Sequence, residues 1–313
     1  MRWFLAALAA LAAHPGAVPP GPTAAARDST TGPWLMVLGI AQDAGIPQAG
    51  TRDRGFHERV VSLAVVDPDS GGRWLIEATP DFRSQLATLD SVAPPRGPAP
   101  DLAGIFLTHA HIGHYTGLMF LGHESIGAHS VVVHATHRMA RYLRTNGPWS
   151  QLVEFANIDL REMDPGLAVR LDGRLSITPF LVPHRQEYSD VVGFLIAGPS
   201  RRVLFIPDID SWEEWTAAGG SLREQLKGVD LAYVDGSFFA DGEIPGRDMS
   251  AFPHPRMRHT MDLLSDLPAV ERAKIRFIHL NHTNPALDPG GAARAEIRRR
   301  GFHVAADGER VGL

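Results

Sequence analysis

The chain has 313 residues, of which 44% are hydrophobic and 21% are charged, as expected for a globular protein with a sizeable core. Its formal net charge of −5 argues against a nucleic-acid partner, because such a partner requires a basic face. The sequence contains no cysteine, which excludes disulfides, thiolate ligands and cysteine nucleophiles, so any metal must be held by His, Asp or Glu.

The N-terminal segment has the layout of a secretory signal. Arg2 precedes the uncharged apolar run 3–13, and small residues and prolines then lead to Ala24-Ala25-Ala26, an A-x-A cleavage pattern. This pattern predicts a signal peptide over 1–26 and a linker over 27–33. The apolar run is shorter than the roughly 20 residues that span a bilayer. We therefore expect no stable membrane insertion, and an exported protein that is periplasmic or extracellular.

The remaining chain, 34–313, is predicted to form one domain in which strands and helices follow each other. Short apolar runs predict strands over 34–40, 60–66, 73–77, 104–108, 130–134, 175–182, 191–197, 202–206, 231–234 and 275–280. Longer mixed segments predict helices over 81–89, 115–121, 136–145, 212–226, 256–264 and 292–300. This order indicates an α/β (α+β) protein with sheets packed on each other and helices outside.

Three histidines cluster where a predicted strand ends and a helix begins, in the segment Thr108-His109-Ala110-His111-Ile112-Gly113-His114. In an extended chain, residues i and i+2 point the same way, so His109 and His111 can meet one cation. The following turn can aim His114 at a second position close by. Imidazole is a common ligand of zinc, iron, nickel and copper. The segment therefore favours a metal site over a polar loop.

Three further candidate ligands, His184, Asp208 and His282, each follow an apolar strand. A single His in such a place is usually an ordinary surface residue. Their order and spacing behind the histidine cluster nevertheless favour the interpretation that all three belong to the same site.

These residues resemble the pattern of the metallo-β-lactamase superfamily, H-x-H-x-D-H followed by a His, an Asp and a His at successive strand ends. The resemblance covers 34–313 and implies an αββα sandwich of two mixed sheets packed face to face, with helices outside and one or two Zn²⁺ ions, or alternatively Fe or Mn, at one edge. It further implies a first metal site of His109, His111 and His184, a second site of His114 and His282, and a bridging Asp208.

One position departs from that pattern, because Gly113 stands where the family has an Asp that ligates the second metal. Glycine has no side chain to offer, so the second site needs a carboxylate from elsewhere. Asp43 and Asp210 are the candidates. Asp43 also suits a turn before Gly45, and Asp210 also suits the N-cap of the following helix.

Within the superfamily, three segments resemble the PqqB proteins of pyrroloquinoline quinone biosynthesis: 39–48 (GIAQDAGIPQ), 77–81 (EATPD) and 277–285 (FIHLNHTNP). The last segment contains Asn281 and Asn284, which we expect near the substrate or behind the ligands. Typical PqqB proteins carry a Cys-rich structural zinc motif that this chain lacks, and export does not suit cytoplasmic cofactor assembly. These features indicate a PqqB-like relative with a different function.

The leading functional hypothesis is secreted, metal-dependent hydrolysis of an ester, lactone, amide or phosphodiester bond in a small-molecule substrate. In this hypothesis Asp208 orients the nucleophile, and His254 and His259 contact the substrate or donate a proton. For both histidines, an ordinary surface position near a helix start is the competing interpretation, and it is the more common one for such residues. The alternatives are a PqqB-like non-haem iron oxygenase and a non-catalytic periplasmic protein that binds a metal or another ligand.

Overall fold

The structure is a computed structural model that describes residues 32–250 and 252–313. The signal peptide expected over 1–26 and most of the linker expected over 27–33 lie outside the described residues. Across the described part of the chain, no helix has the length and apolar character needed to cross a membrane.

The described chain forms fourteen strands in two sheets. In chain order they are β1 (Trp34–Gly39), β2 (Ser62–Asp67), β3 (Gly72–Ile76), β4 (Gly104–Phe106), β5 (Val131–Ala135), β6 (Ile158–Glu162), β7 (Val169–Arg170), β8 (Ser176–Leu181), β9 (Val192–Ala197), β10 (Arg202–Ile206), β11 (Leu231–Asp235), β12 (Ile275–Ile278), β13 (His303–Val304) and β14 (Arg310–Gly312). The first sheet has the order β14-β1-β2-β3-β4-β5-β6, and the second has the order β13-β12-β11-β10-β9-β8-β7.

Both sheets are mixed. In the first, β14, β1, β2 and β3 pair antiparallel, and β3 to β6 pair parallel. In the second, β13 to β10 pair parallel, and β10 to β7 pair antiparallel. Each sheet therefore has a parallel half whose strand ends meet at one edge.

Nine α-helices connect the described strands. They are α1 (Phe82–Val92), α2 (Ile112–Tyr115), α3 (His137–Thr145), α4 (Trp149–Glu154), α5 (Trp212–Ala217), α6 (Leu222–Lys227), α7 (Met257–Leu263), α8 (Ala269–Arg272) and α9 (Ala292–Arg299). Two 3₁₀ turns lie at Thr116–Leu121 and Pro285–Leu287.

The strand β1 shows how the sequence sets the layers. All of its residues are buried. Alternate side chains point to opposite faces of the sheet, and both faces of this strand are covered by other layers. Trp34, Met36 and Leu38 join the core beneath the helices, whereas Leu35 and Val37 join the core between the two sheets. A continuous apolar run is therefore required in a strand that is covered on both faces.

Three apolar cores correspond to the three interfaces between four layers. The core between the sheets includes Phe106 of β4 and Phe194 of β9, whose rings meet edge to face with centroids 6.0 Å apart. A second core lies between the first sheet and helices such as α3, and a third lies between the second sheet and helices such as α7 and α9. This arrangement confirms the predicted αββα sandwich of two mixed sheets.

Two predicted helices differ in detail. The segment 212–226 forms two helices, α5 and α6, because Gly219 adopts a φ of 90° and ends the first of them. The helix expected over 115–121 is a 3₁₀ turn that continues the single turn of α2.

Candidate metal centre

The candidate ligands lie where strands end at one edge of the sandwich. β4 ends at Phe106 and leads into the segment that carries His109, and β10 ends at Ile206, two residues before Asp208. Because β10, β11 and β12 are parallel neighbours, their carboxyl ends meet at this edge. His279 follows β12 directly, and its Nε2 lies 3.3 Å from Asp208 Oδ2.

Three histidines and one carboxylate surround a first candidate metal position. The ligand nitrogens of His109, His111 and His184 all lie within 4.8 Å of one another. His111 Nδ1 is 3.2 Å from His184 Nε2, which in turn is 3.7 Å from Asp208 Oδ1. Three imidazoles and a carboxylate form a donor set that suits zinc and other divalent first-row metals.

A second candidate position also lies beside Asp208. Its donors are Asp43, His114 and His279, whose ligand atoms also lie within 4.8 Å of one another. His114 Nε2 is 3.0 Å from Asp43 Oδ1 and 3.0 Å from Asp208 Oδ2. Asp208 therefore has one oxygen near each group of candidate ligands, and it would be able to contact an ion at either position.

Unpartnered buried atoms converge on these positions, which provides a test of whether the residues fit a metal. In the described chain, five ligand atoms are buried without a hydrogen-bond partner: Asp43 Oδ1, His109 Nε2, His114 Nε2, Asp208 Oδ2 and His279 Nε2. A buried polar atom left in that state costs free energy unless something binds it. All five are lone-pair donors to cations, so the residues fit a divalent metal centre.

Outer contacts fix the orientation of several rings. His184 Nδ1 lies 2.7 Å from Asp210 Oδ1. His279 Nδ1 lies 2.8 Å from Ser237 Oγ, and that hydroxyl donates to Asp235 Oδ1 at 2.8 Å. When Nδ1 carries the proton, Nε2 keeps its lone pair for the metal, and such contacts commonly select the tautomer of a ligand histidine.

Glu77 contacts the ring of His114 directly and the ring of His109 through Thr108. It is fully buried directly after β3, with a φ of 74°, a left-handed conformation that non-glycine residues seldom adopt. Its Oε1 lies 3.2 Å from His114 Nδ1 and accepts a hydrogen bond from Thr108 Oγ1. The Thr108 hydroxyl is also 2.8 Å from His109 Nδ1. One carboxylate therefore supports a ligand at each metal position.

The protonation states of the cluster are coupled. Burial opposes ionisation of Asp208, but His279 and His114 hold its pKa well below the usual range. Burial and the neighbouring His114 hold the pKa of His109 well below its usual value. For His114, burial is outweighed by Glu77 and Asp208, which raise its pKa well above the usual value. A metal ion must replace the proton on His114, whereas Asp208 and His109 are already in binding form.

His254 links the cluster to the space in front of it. Its Nδ1 lies 2.7 Å from Asp235 Oδ2 and 3.7 Å from Asp208 Oδ1. Burial opposes the charged ring, but Asp235 outweighs it and raises the pKa of His254. A buried imidazole paired with a carboxylate is a common proton carrier in enzymes.

A cavity of about 490 Å³ opens in front of the cluster. Asp43 and His254 line it, together with two exposed arginines, Arg185 and Arg247. The Arg247 guanidinium lies 5.4 Å from the centroid of the Phe252 ring, another lining residue. Two guanidinium groups beside a metal centre favour ligands that carry negative charge.

The structure brings together most of the residues that the sequence singled out. His109, His111, His114, His184 and Asp208 form the cluster itself. The two carboxylates expected as replacements for residue 113 have separate places, since Asp43 faces the second position and Asp210 contacts His184 from behind.

His282 is not among the converging ligands, and His279 stands in the place expected for it. β12 ends at Ile278, and His279 turns directly from the strand into the cluster with a φ of 66°. His282 comes three residues later, where its Nδ1 lies 3.0 Å from Asn281 Oδ1 and its ring lines the cavity.

Two other predicted site residues, His259 and Asn284, do not line the cavity. His259 is on the outer side of α7, with a side chain 48% exposed and Nε2 2.7 Å from Glu213 Oε1. Asn284 is buried, and its Nδ2 donates to the Gly236 carbonyl at 2.8 Å, so it holds the loop after β11. Asn281, in contrast, lines the cavity as expected near a substrate.

Sequence reasoning did not assign roles to three residues of the centre: His279, Glu77 and Asp235. Each stands at or next to a strand end, since Glu77 follows β3, Asp235 is the last residue of β11 and His279 follows β12. A polar residue at the end of a buried strand is therefore the signal that would have found all three.

Comparisons with known proteins agree with this geometry. A family model described as a beta-lactamase superfamily domain matches residues 72–286. Coenzyme PQQ synthesis protein B of Methylobacterium sp. (strain 4-46) is 27% identical over 87% of this chain and 97% of its own length. Zn²⁺-bound PqqB from Methylobacterium extorquens superposes with a TM-score of 0.73 at 22% identity, covering 90% of this chain and 100% of that one. A diphosphatase of the PhnP family gives 0.59 at 17% identity, covering 89% and 96%. The predicted fold and the resemblance to PqqB proteins are thus confirmed.

Proposed function

This chain belongs to the beta-lactamase superfamily, and from that premise we propose that it is a divalent-metal-dependent hydrolase of a small, negatively charged ester. One observation carries the proposal: Asp208 lies beside both groups of candidate ligands, with Oδ1 3.7 Å from His184 Nε2 and Oδ2 3.0 Å from His114 Nε2, next to a cavity lined by two arginines. The preferred substrates are phosphodiesters, because the two guanidinium groups and a pair of metal positions match their charge.

The residues divide the metal-binding roles among themselves. His109, His111 and His184 would hold an ion at the first position, His114 and His279 would hold one at the second, and Asp208 would contact both. A bound divalent ion supplies a Lewis acid for the ester group and lowers the pKa of water to about 7.

His254 and Asp235 are placed to handle the proton. Because Nδ1 of His254 faces Asp235 at 2.7 Å, Nε2 is the nitrogen available to the cavity that the ring lines. Asp235 fixes the ring orientation and favours its protonated form. The pair is therefore suited to donate a proton to the leaving-group oxygen.

The test is hydrolysis by the metal-loaded protein across matched substrates. The panel compares phosphodiesters with neutral esters that carry the same leaving group, and with lactones and β-lactams, before and after chelation. We expect turnover of the phosphodiesters, loss of activity with chelator, and recovery on adding Zn²⁺ or Mn²⁺. No turnover of any substrate by fully loaded protein would refute the proposal.

A second candidate is oxidation that depends on iron and oxygen. It is favoured by the similarity to coenzyme PQQ synthesis protein B over most of both chains. His and carboxylate ligands also suit non-haem iron. Oxygen uptake by the Fe²⁺-loaded protein, absent with Zn²⁺, would favour this function over hydrolysis.

We also propose that the enzyme acts outside the cytoplasm, as the N-terminal sequence pattern indicates. Cell fractionation with N-terminal sequencing tests this. We expect mature protein that starts near residue 27 in the periplasm or medium, and full-length protein confined to the cytoplasm would contradict it.

A further inference from the structure

The absence of a side chain at residue 113 is matched by the position of Asp43. A Cβ atom built on Gly113 would lie 2.3 Å from Asp43 Cα, 2.5 Å from its Oδ1 and 2.8 Å from its Cβ. Atoms cannot approach that closely, so residue 113 and the Asp43 loop occupy space that only one of them can use. The missing carboxylate of the segment 109–114 and the carboxylate of Asp43 are alternatives for the same volume.

The loop that carries Asp43 is held against both sheets. Ala41 forms bridges with Val60 from the first sheet region and with Leu280 after β12. The Gln42 amide donates to the Leu280 carbonyl at 2.9 Å. These backbone bonds hold the segment around Asp43 next to the loop that carries His279, so the position of Asp43 is set by regular backbone pairing.

Asp43 Oδ1 points at the second metal position. It lies 3.0 Å from His114 Nε2 and 3.7 Å from His279 Nε2, and it is buried without a hydrogen-bond partner. The rival carboxylate, Asp210, is already engaged with His184 Nδ1 at 2.7 Å. Of the two, only Asp43 has an oxygen directed at the second set of ligands.

We infer that Asp43, from the loop after β1, supplies the second metal position with the carboxylate that Gly113 lacks. The inference rests on the metal centre of the proposed function and adds a ligand swap between two loops. Gly113 is then part of the site through its missing side chain, because any larger residue would displace Asp43.

The experiment measures bound metal rather than activity. Wild-type protein is stripped with chelator, loaded with Co²⁺ and examined by elemental analysis and visible absorption. We expect two ions per chain, and one ion per chain for Asp43→Ala, with second-site affinity reduced at least about 100-fold. Asp53→Ala removes a carboxylate from an exposed part of the same segment and should keep two ions. Two tightly bound ions in Asp43→Ala would overturn the inference.

A second variant tests the space without removing a ligand atom. Gly113→Ala adds one methyl group against Asp43 Cα, so we expect weaker binding of the second ion and normal binding of the first. Gly173→Ala is the matched control, because a Cβ at Gly173 meets no atom within 4 Å. Unchanged binding of both ions in Gly113→Ala would contradict the swap.

The outcomes separate this inference from the proposed hydrolysis. If wild-type protein binds two ions, Asp43→Ala binds one, and neither hydrolyses any substrate, the ligand assignment holds and the hydrolase proposal fails. If wild-type protein hydrolyses substrate with one ion per chain and no second site, the hydrolase proposal holds and the role of Asp43 is refuted.

Discussion

Replacing His254 with Asn separates its proposed proton transfer from its structural contacts. The Asn Nδ2 can take the place of the ring Nδ1 and still donate to Asp235, which lies 2.7 Å from that nitrogen. Asn is also among the residues that best tolerate left-handed backbone, and His254 has a φ of 85°. The substitution therefore removes Nε2 from the cavity while keeping the buried carboxylate paired.

General acid catalysis contributes about 100- to 10,000-fold, or about 2.7–5.4 kcal/mol of the barrier. We expect His254→Asn to lower kcat at least about 100-fold for a phosphodiester with an alkoxide leaving group. A diester with a nitrophenolate leaving group should lose much less, because that group departs without a proton. The assay is kcat for both substrates with one enzyme preparation.

Metal content and thermal unfolding of His254→Asn serve as controls and should match the wild type. An equal loss of kcat on both substrates would refute proton donation by His254. Loss of a metal ion in the variant would instead identify His254 as a ligand. The geometry allows this alternative, because His254 Nδ1 lies 3.7 Å from Asp208 Oδ1.

Three further substitutions test the support of a ligand histidine, a buried ion pair and the recognition of anionic substrates. Glu77→Gln removes the charge 3.2 Å from His114 Nδ1, so metal affinity in chelator competition should fall about 10- to 100-fold, and unchanged affinity would count against this role. Burial opposes ionisation of Asp67, but Arg174 outweighs it and lowers its pKa to about 2. This stabilisation is complete above about pH 4 and is lost as the pH falls toward 2. Asp67→Asn should therefore lower the free energy of unfolding in urea by about 1–2 kcal/mol at pH 6, a range that allows for the solvent exposure of Arg174. Near pH 2 the variant should match the wild type, and a difference independent of pH would contradict this. Arg247→Ala should raise KM about tenfold for anionic substrates only, and an equal rise for neutral esters would exclude anion recognition.

The layered fold could be predicted from the sequence because its central strands are covered on both faces. Runs such as those of β1 and β10 are apolar over nearly their whole length, which is typical of strands buried between two layers. Four strands, β6, β7, β13 and β14, were not predicted, and the last two show why. They have two and three residues and acquire strand geometry by pairing with β12 and β1, so their formation depends on contacts remote in sequence.

The centre was predictable where chain geometry is local. The spacing of His109 and His111 follows from the alternation of an extended chain, and no tertiary information is needed to bring them together. Whether His279 or His282 joins the ligands, in contrast, does not follow from local chain geometry. It depends on where β12 ends and on the positive φ of His279, neither of which the apolar run 275–280 determines.

Asp43 and Gly113 show why a motif can be incomplete while its site is complete. A metal ion responds to the positions of donor atoms, and the long separation of these two residues in the sequence places no constraint on how close they lie. Because the segment of Asp43 is held beside Leu280, a side chain at residue 113 would overlap with Asp43 and could not serve as a ligand. The motif taken by position alone therefore predicts a weakened second site. The volume that the two residues share predicts instead that substitutions at 43 and 113 affect the same ion, so their effects on its affinity should not be additive.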